Sequence, residues 1–333
     1  MRLTRGTATV FVPIILLLAA GVGRGAVTVD ALGLYLAKNG YGGAQLAHLG
    51  NFYHLPIQSN GKSGNLIVDT GSPTTLIFRS SLKRLNLIES KTTDHVSGVF
   101  GRGRDVHGLT TIKALTAGNC TLTNMPVSVA SDSSFSRPRS DGLLGLRELV
   151  KFGAILDLRN HLLYLRSSRP GDSVGADLKS ILARQGYSAV PLLLKYNHVF
   201  VGGAVSGVPC YFFVDTGSYL TALDVTFAAR AKLKVAATSL VGEALGGSSS
   251  VGVTIFSSLR VGNYEIKNGS ASVASFDAEV FGPNSGIAGL IGAEYLAINR
   301  AIFDFVSGTL YLRPRCDESL TPVFRRRFPG RAA

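Results

Sequence analysis

Two stretches of this 333-residue chain are copies of one another, and that constrains the fold more than any other feature. Residues 32–41 read LGLYLAKNGY and residues 178–187 read LKSILARQGY. Leu36-Ala37-Lys38 answers to Leu182-Ala183-Arg184, and Gly40-Tyr41 to Gly186-Tyr187, 146 positions on. The same offset carries Val68-Asp69-Thr70-Gly71-Ser72 onto Val214-Asp215-Thr216-Gly217-Ser218. Further along, at an offset of 147, Leu144-Gly145 answers to Ile291-Gly292, Asp157 to Asp304, and Leu163-Tyr164-Leu165-Arg166 to Leu310-Tyr311-Leu312-Arg313. The register is expected to hold over about 137 residues, with a net gain of one in the second copy. One folding unit used twice implies two lobes, residues 30–166 and 176–313, joined by the Pro/Gly/Ser linker 167–175.

Each copy reads alike. A short helix (Ala31–Asn39; Asp177–Gln185) ends at a glycine, Gly40 or Gly186. A strand follows, then a hairpin signal at Asn60-Gly61 or Ser206-Gly207. An apolar strand (Leu66-Ile67-Val68; Phe212-Phe213-Val214) runs into Asp-Thr-Gly. Helical stretches are expected at Ser80–Leu85 and Thr226–Leu233, then Gly-rich segments with strand-like flanks at Val96–Thr110 and Val241–Val253. Charged residues make up only 17% of the chain and glycines number 39, so the expected class is all-β with short helices, bilobal by duplication.

A net charge of +13 would suit a nucleic-acid binder, but its distribution argues otherwise. Arg2, Arg5, Arg24, Arg325, Arg326, Arg327 and Arg331 lie in the end segments 1–25 and 319–333, which carry no acid, and the remaining excess is thinly spread. No aromatic-basic RNA-binding signature is present, and no nucleic-acid partner is expected. Residues 1–25 order a basic start, a short apolar run (7–20) and small residues, the pattern of an export signal, with an uncleaved membrane anchor as the alternative. Residues 314–333 form a basic tail. Cys120, Cys210 and Cys316 lack metal spacing and allow either one disulfide with a free thiol or three buried thiols. No metal and no organic cofactor is expected.

The chemistry lies in the two Asp-Thr-Gly-Ser sequences. One alone is an ordinary turn. Two, at matching positions of two similar lobes and each after an apolar strand, imply that lobe packing brings Asp69 and Asp215 side by side. Two adjacent carboxylates cannot both ionise readily, so the pair holds one proton and titrates as a unit. The ionised member can deprotonate a water while the protonated member polarises a carbonyl, and no metal is required. Gly71 and Gly217 let backbone amides approach the carboxylates, and the hydroxyls of Thr70, Ser72, Thr216 and Ser218 are expected to orient them. Gly61-Lys62-Ser63 ends like a phosphate-binding loop, but Pro56 stands where its first glycine should be.

These residues resemble the retropepsin-like and pepsin-like aspartic peptidases. The chain looks like a fused tandem of retropepsin-like lobes, similar to exported aspartyl proteases of bacteria, over nearly all of residues 30–313. The family's second hallmark, two apolar residues before a glycine, occurs as Leu143-Leu144-Gly145 and Leu290-Ile291-Gly292. The resemblance implies β-hairpin flaps over a cleft, with Gly98, Phe100, Gly101, Gly246 and Gly247 where flaps are expected. Pepsins carry a flap tyrosine, and here the first region has Phe100 instead. The implied activity is endopeptidase action on extended peptide or protein substrates, best at acid pH, by a monomer that touches membrane only if its first segment is retained. The alternative is a catalytically inactive peptide-binding scaffold that kept the fold.

Overall fold

The structure, a computed structural model, describes residues 31–49, 51–98, 101–132, 140–167, 173–195, 197–244, 247–276 and 286–313. The segments read as export signal (1–25) and basic tail (314–333), with Phe100, Gly246 and Cys316, lie outside the described residues.

The first lobe opens with helix α1 (Ala31–Lys38). It continues through strands β1 (Gly42–Gln45), β2 (Ala47–Leu49), β3 (Phe52–Ser59), β4 (Lys62–Val68), β5 (Leu76–Phe78), β6 (Ser90–Gly98), β7 (Gly101–Ala117), β8 (Cys120–Ala130) and β9 (Gly142–Leu144). Helix α2 (Leu146–Lys151) and the hairpin β10 (Ile155–Asp157) and β11 (Leu162–Leu165) close it. The second lobe repeats this with α3 (Ser173–Arg184), β12 (Ser188–Pro191), β13 (Leu193–Lys195), β14 (His198–Val205), β15 (Val208–Val214), β16 (Ala222–Asp224), α4 (Val225–Arg230), β17 (Val235–Ala244) and β18 (Gly247–Val261). It ends with β19 (Tyr264–Ala274), β20 (Ile287–Ile291), α5 (Ala293–Ile298), β21 (Ile302–Asp304) and β22 (Thr309–Leu312). The protein is mainly β, with the same lobe built twice.

Local chemistry explains the punctuation. Gly40 and Gly186 take left-handed φ of 78° and 81°, so that Tyr41 and Tyr187 turn back to donate to Leu36 O and Leu182 O, each at 3.0 Å. Asn60-Gly61 and Ser206-Gly207 are left-handed pairs closing the β3–β4 and β14–β15 hairpins. Two expectations shift. Helix α3 begins at Ser173, inside the span read as linker, and the stretch after β5 forms only a 3-10 turn at Arg79–Ser81 where a helix was expected at Ser80–Leu85.

In each lobe the strands form one eight-stranded sheet, in the orders β2-β3-β4-β9-β5-β8-β7-β6 and β13-β14-β15-β20-β16-β19-β18-β17. Additional pairing of β3 with β7, and of β14 with β18, curls each sheet towards a barrel. Corresponding registers agree: His54 faces Ile67 as Phe200 faces Phe213, β4–β9 and β15–β20 pair in parallel, and so do β5–β8 and β16–β19. The repeat register is not continuous, however. Asn124 and Asn268, both at φ 52°, occupy the same place in β8 and β19 but lie 144 positions apart. The second copy is therefore shorter within the long hairpins and longer before β20, changes that cancel to a net gain of one.

Alternation along the strands sends Leu66 and Val68, or Phe212 and Val214, into a large core that continues through both lobes. Burying each such side chain contributes roughly 1.5–3 kcal/mol. Ile67 and Phe213, on the opposite face, belong to two smaller clusters, one per lobe. A six-stranded sheet, β1-β11-β10-β21-β22-β12, ties the lobes together where β10 pairs antiparallel with β21, and α1 and α3 cover it through Leu32, Leu36, Leu178 and Leu182. Cys120 and Cys210 are buried free thiols, and burial raises the pKa of both.

Candidate active site

Two loops follow β4 and β15, and they meet at the lobe interface. Each leaves the core from a fully buried valine, Val68 or Val214, and is pinned to the neighbouring strand: Asp69 N donates to Leu144 O and Asp215 N to Ile291 O, both at 3.0 Å. Strand alternation puts Asp69 on the face of Ile67 and Asp215 on the face of Phe213. Both carboxylates are buried, 5% and 9% exposed.

The aspartates are held by backbone donors. Asp69 Oδ1 accepts from Gly71 N (2.9 Å) and Ser72 N (3.1 Å), and Asp215 Oδ1 from Gly217 N (2.8 Å) and Ser218 N (3.2 Å). The glycines are required by proximity rather than by φ. A Cβ on Gly71 would lie 2.3 Å from Asp215 Oδ1, and one on Gly217 would lie 2.3 Å from Asp69 Cγ. Each lobe's carboxylate therefore rests against the glycine backbone of the other lobe, and the structure brings Asp69, Gly71, Asp215 and Gly217 into one site.

The threonines have a different task from the one expected. Thr70 Oγ1 donates to Val214 O (2.9 Å) and accepts from Thr216 N (3.0 Å). Thr216 Oγ1 donates to Val68 O (2.7 Å) and accepts from Thr70 N (3.0 Å). Both side chains are fully buried, so their hydroxyls lock lobe to lobe rather than orient the carboxylates. The serine hydroxyls stay within their own loops, Ser72 donating to Thr74 O and Ser218 to Leu220 O.

A second layer supports each loop. Thr75 Oγ1 accepts from Gly145 N (3.0 Å), and Glu148 Oε2 accepts from Thr75 N (3.1 Å) and Thr75 Oγ1 (2.5 Å). In the other lobe Thr221 Oγ1 accepts from Gly292 N (3.2 Å), and Glu294 Oε1 accepts from Thr221 N (2.5 Å). The glutamates differ in surroundings. Glu148 also takes Arg147 Nε at 2.7 Å, whereas Glu294 follows Ala293 and its Oε2 is buried without a hydrogen-bond partner. Burial raises the Glu294 carboxyl from its ordinary 4.5 to about 7. Sequence reasoning missed this layer. The shared spacing Ser72-x-x-Thr75 and Ser218-x-x-Thr221 was a usable signal. The glutamates were hidden because Glu148 is the third residue of α2 and Glu294 the second of α5, one step out of register.

Of the five residues expected in flaps, three are described. Gly98 pairs with Gly101 as the last pair of the β6–β7 hairpin, and Gly247 pairs with Ala244 at the end of β17–β18. Strand β7 of the first hairpin also contacts β18 of the second. Among the described residues no cluster of His, Cys, Asp or Glu could hold a metal ion, and no helix is long and apolar enough to cross a membrane.

The model of a family described as aspartyl protease matches residues 55–147 and again residues 201–295. The chain belongs to the aspartyl protease family. The two tandem matches fall on the two lobes, each taking in one Asp-Thr-Gly-Ser loop and the first residues of the helix behind it, so the internal duplication is a duplication of the aspartyl protease unit. Membership carries a protease-type function in general terms. No curated protein matches the sequence.

Proposed function

We propose that the chain is an aspartic endopeptidase that hydrolyses extended peptide segments with water activated between Asp69 and Asp215. The observation that carries this reading is the reciprocal packing of each carboxylate on the other lobe's glycine, with two amide donors on one oxygen of each. Like charges held this close share one proton. The amide-bound oxygens are fixed, which leaves the pair to hold a water and receive its proton. The protonated partner hydrogen-bonds the scissile carbonyl, water adds to give a tetrahedral diol, and the pair returns a proton to the leaving amine. Backbone pairing along the β6–β7 and β17–β18 hairpins suits an extended substrate, which would lie as an added strand.

One chain carries both halves of the site, so the active species is a monomer. The basic, apolar and small-residue order of residues 1–25 supports export. The test is hydrolysis of a mixed peptide library by residues 26–333 from pH 3 to 8, with and without a statine-type inhibitor. Cleavage that is strongest in acid and lost in Asp69→Asn and Asp215→Asn, with both variants folded, is the expected result. A folded wild-type protein that cleaves nothing would favour a peptide-binding scaffold, and an optimum near pH 9 would contradict the shared proton.

A further inference from the structure

The two lobes are unequal at one matched position beside the aspartates. Phe52 opens β3, and 146 positions on His198 opens β14. Two residues further the identities swap, with His54 in the first lobe and Phe200 in the second. Phe52 packs against the small cluster of Ile67, Leu76, Phe78 and Leu143. The His198 ring stands edge-on to Phe213, 5.0 Å between centroids, on the face of the sheet that goes on to carry Asp215.

His198 is half-buried, and its Nδ1 is buried with no hydrogen-bond partner. Leaving such an atom unpaired is destabilising, and a phenylalanine, as in the other lobe, would avoid that. The ring also feels a charge from the other lobe. Burial lowers its pKa, and the Asp69 charge of the opposite lobe works in the other direction. Among the described residues, the charges set against it are Asp69 and the exposed Lys195, its register partner on β13.

We propose that His198 is a specificity-determining residue that makes its half of the cleft accept an acidic peptide side chain, while the Phe52 half accepts an aromatic or aliphatic one. A cleft built from two copies of one lobe has no inherent preference for peptide direction, and this difference supplies one. An acidic side chain beside Asp69 and Asp215 would be repelled unless a cation stands between. An imidazole that takes up a proton as the carboxylate docks provides that cation. This inference rests on the peptide-cleft reading above.

The experiment measures binding, so that it does not depend on turnover. The background is Asp215→Asn, with His198→Phe and Phe52→His each added to it. The probes are apolar peptides bearing Glu or Gln at either residue flanking the central bond, at pH 5.5 and pH 8. The expected result is a preference for Glu over Gln of about tenfold at one flank only. It should be present at pH 5.5, lost at pH 8 and lost in His198→Phe, and it should arise at the second flank in Phe52→His. An unchanged Glu/Gln ratio in His198→Phe, or no peptide binding at all, would overturn the proposal. Hydrolysis by the wild type is scored separately, and its absence alongside a His198-dependent preference would sink the peptidase reading while leaving this one standing.

Discussion

Replacing Glu294 with Gln should make the protein more stable at neutral and alkaline pH while leaving it nearly unchanged in acid. Glu294 is held by Thr221 behind the Asp215 loop, with Oε2 buried and unpartnered. Burial raises its pKa from 4.5 to about 7. Below pH 4.5 the carboxyl is protonated in the folded and unfolded chains alike, and the residue contributes no pH dependence. Between 4.5 and about 7 the folded protein keeps a proton that the unfolded chain has released, so stability falls as pH rises. Above about 7 the loss is complete. At about 1.36 kcal/mol per unit, the displacement corresponds to about 3 kcal/mol.

Glutamine mimics the protonated acid and cannot ionise, so Glu294→Gln removes that loss. Denaturant unfolding at pH 4, 5, 6, 7 and 8 measures it. The variant should match the wild type within about 1 kcal/mol at pH 4 and exceed it by about 3 kcal/mol at pH 8. His48 and His198, whose pKa values burial lowers, titrate in both proteins and cancel in the difference. A variant-minus-wild-type difference that does not change with pH would refute the argument.

Three further outcomes follow from the site. Thr70→Val removes two lobe-to-lobe hydrogen bonds and strands the buried Thr216 N–H, so it should cost about 2–4 kcal/mol, read by denaturant unfolding. Gly71→Ala drives a methyl to 2.3 Å from Asp215 Oδ1, so the carboxylates must separate, and peptide hydrolysis should fall at least about 100-fold with secondary structure intact by circular dichroism. Glu148→Gln gives up the charged contact with Arg147 and should destabilise by about 1–3 kcal/mol at pH 7, read by denaturant unfolding, the opposite sign to Glu294→Gln.

The sequence by itself determined the duplication, the mainly β class and the matched positions of the two Asp-Thr-Gly-Ser loops. It could do so because these rest on identity and period: matched residues at a constant offset, and apolar alternation that ends in the same tetrapeptide twice. The break in register at Asn124 and Asn268 escaped it, since shortening and lengthening cancel between the anchors at either end. Tertiary structure decided what each residue of the tetrapeptide does. The glycines are needed because the other lobe's carboxylate lies where a Cβ would be, and the threonines because the other lobe's backbone supplies their partners. Neither partner is local in sequence. The six-stranded sheet that holds the lobes in that relation arises the same way. So does the influence of the Asp69 charge on His198 of the other lobe. Each depends on which distant surface covers a side chain, and that is settled only when the two copies pack.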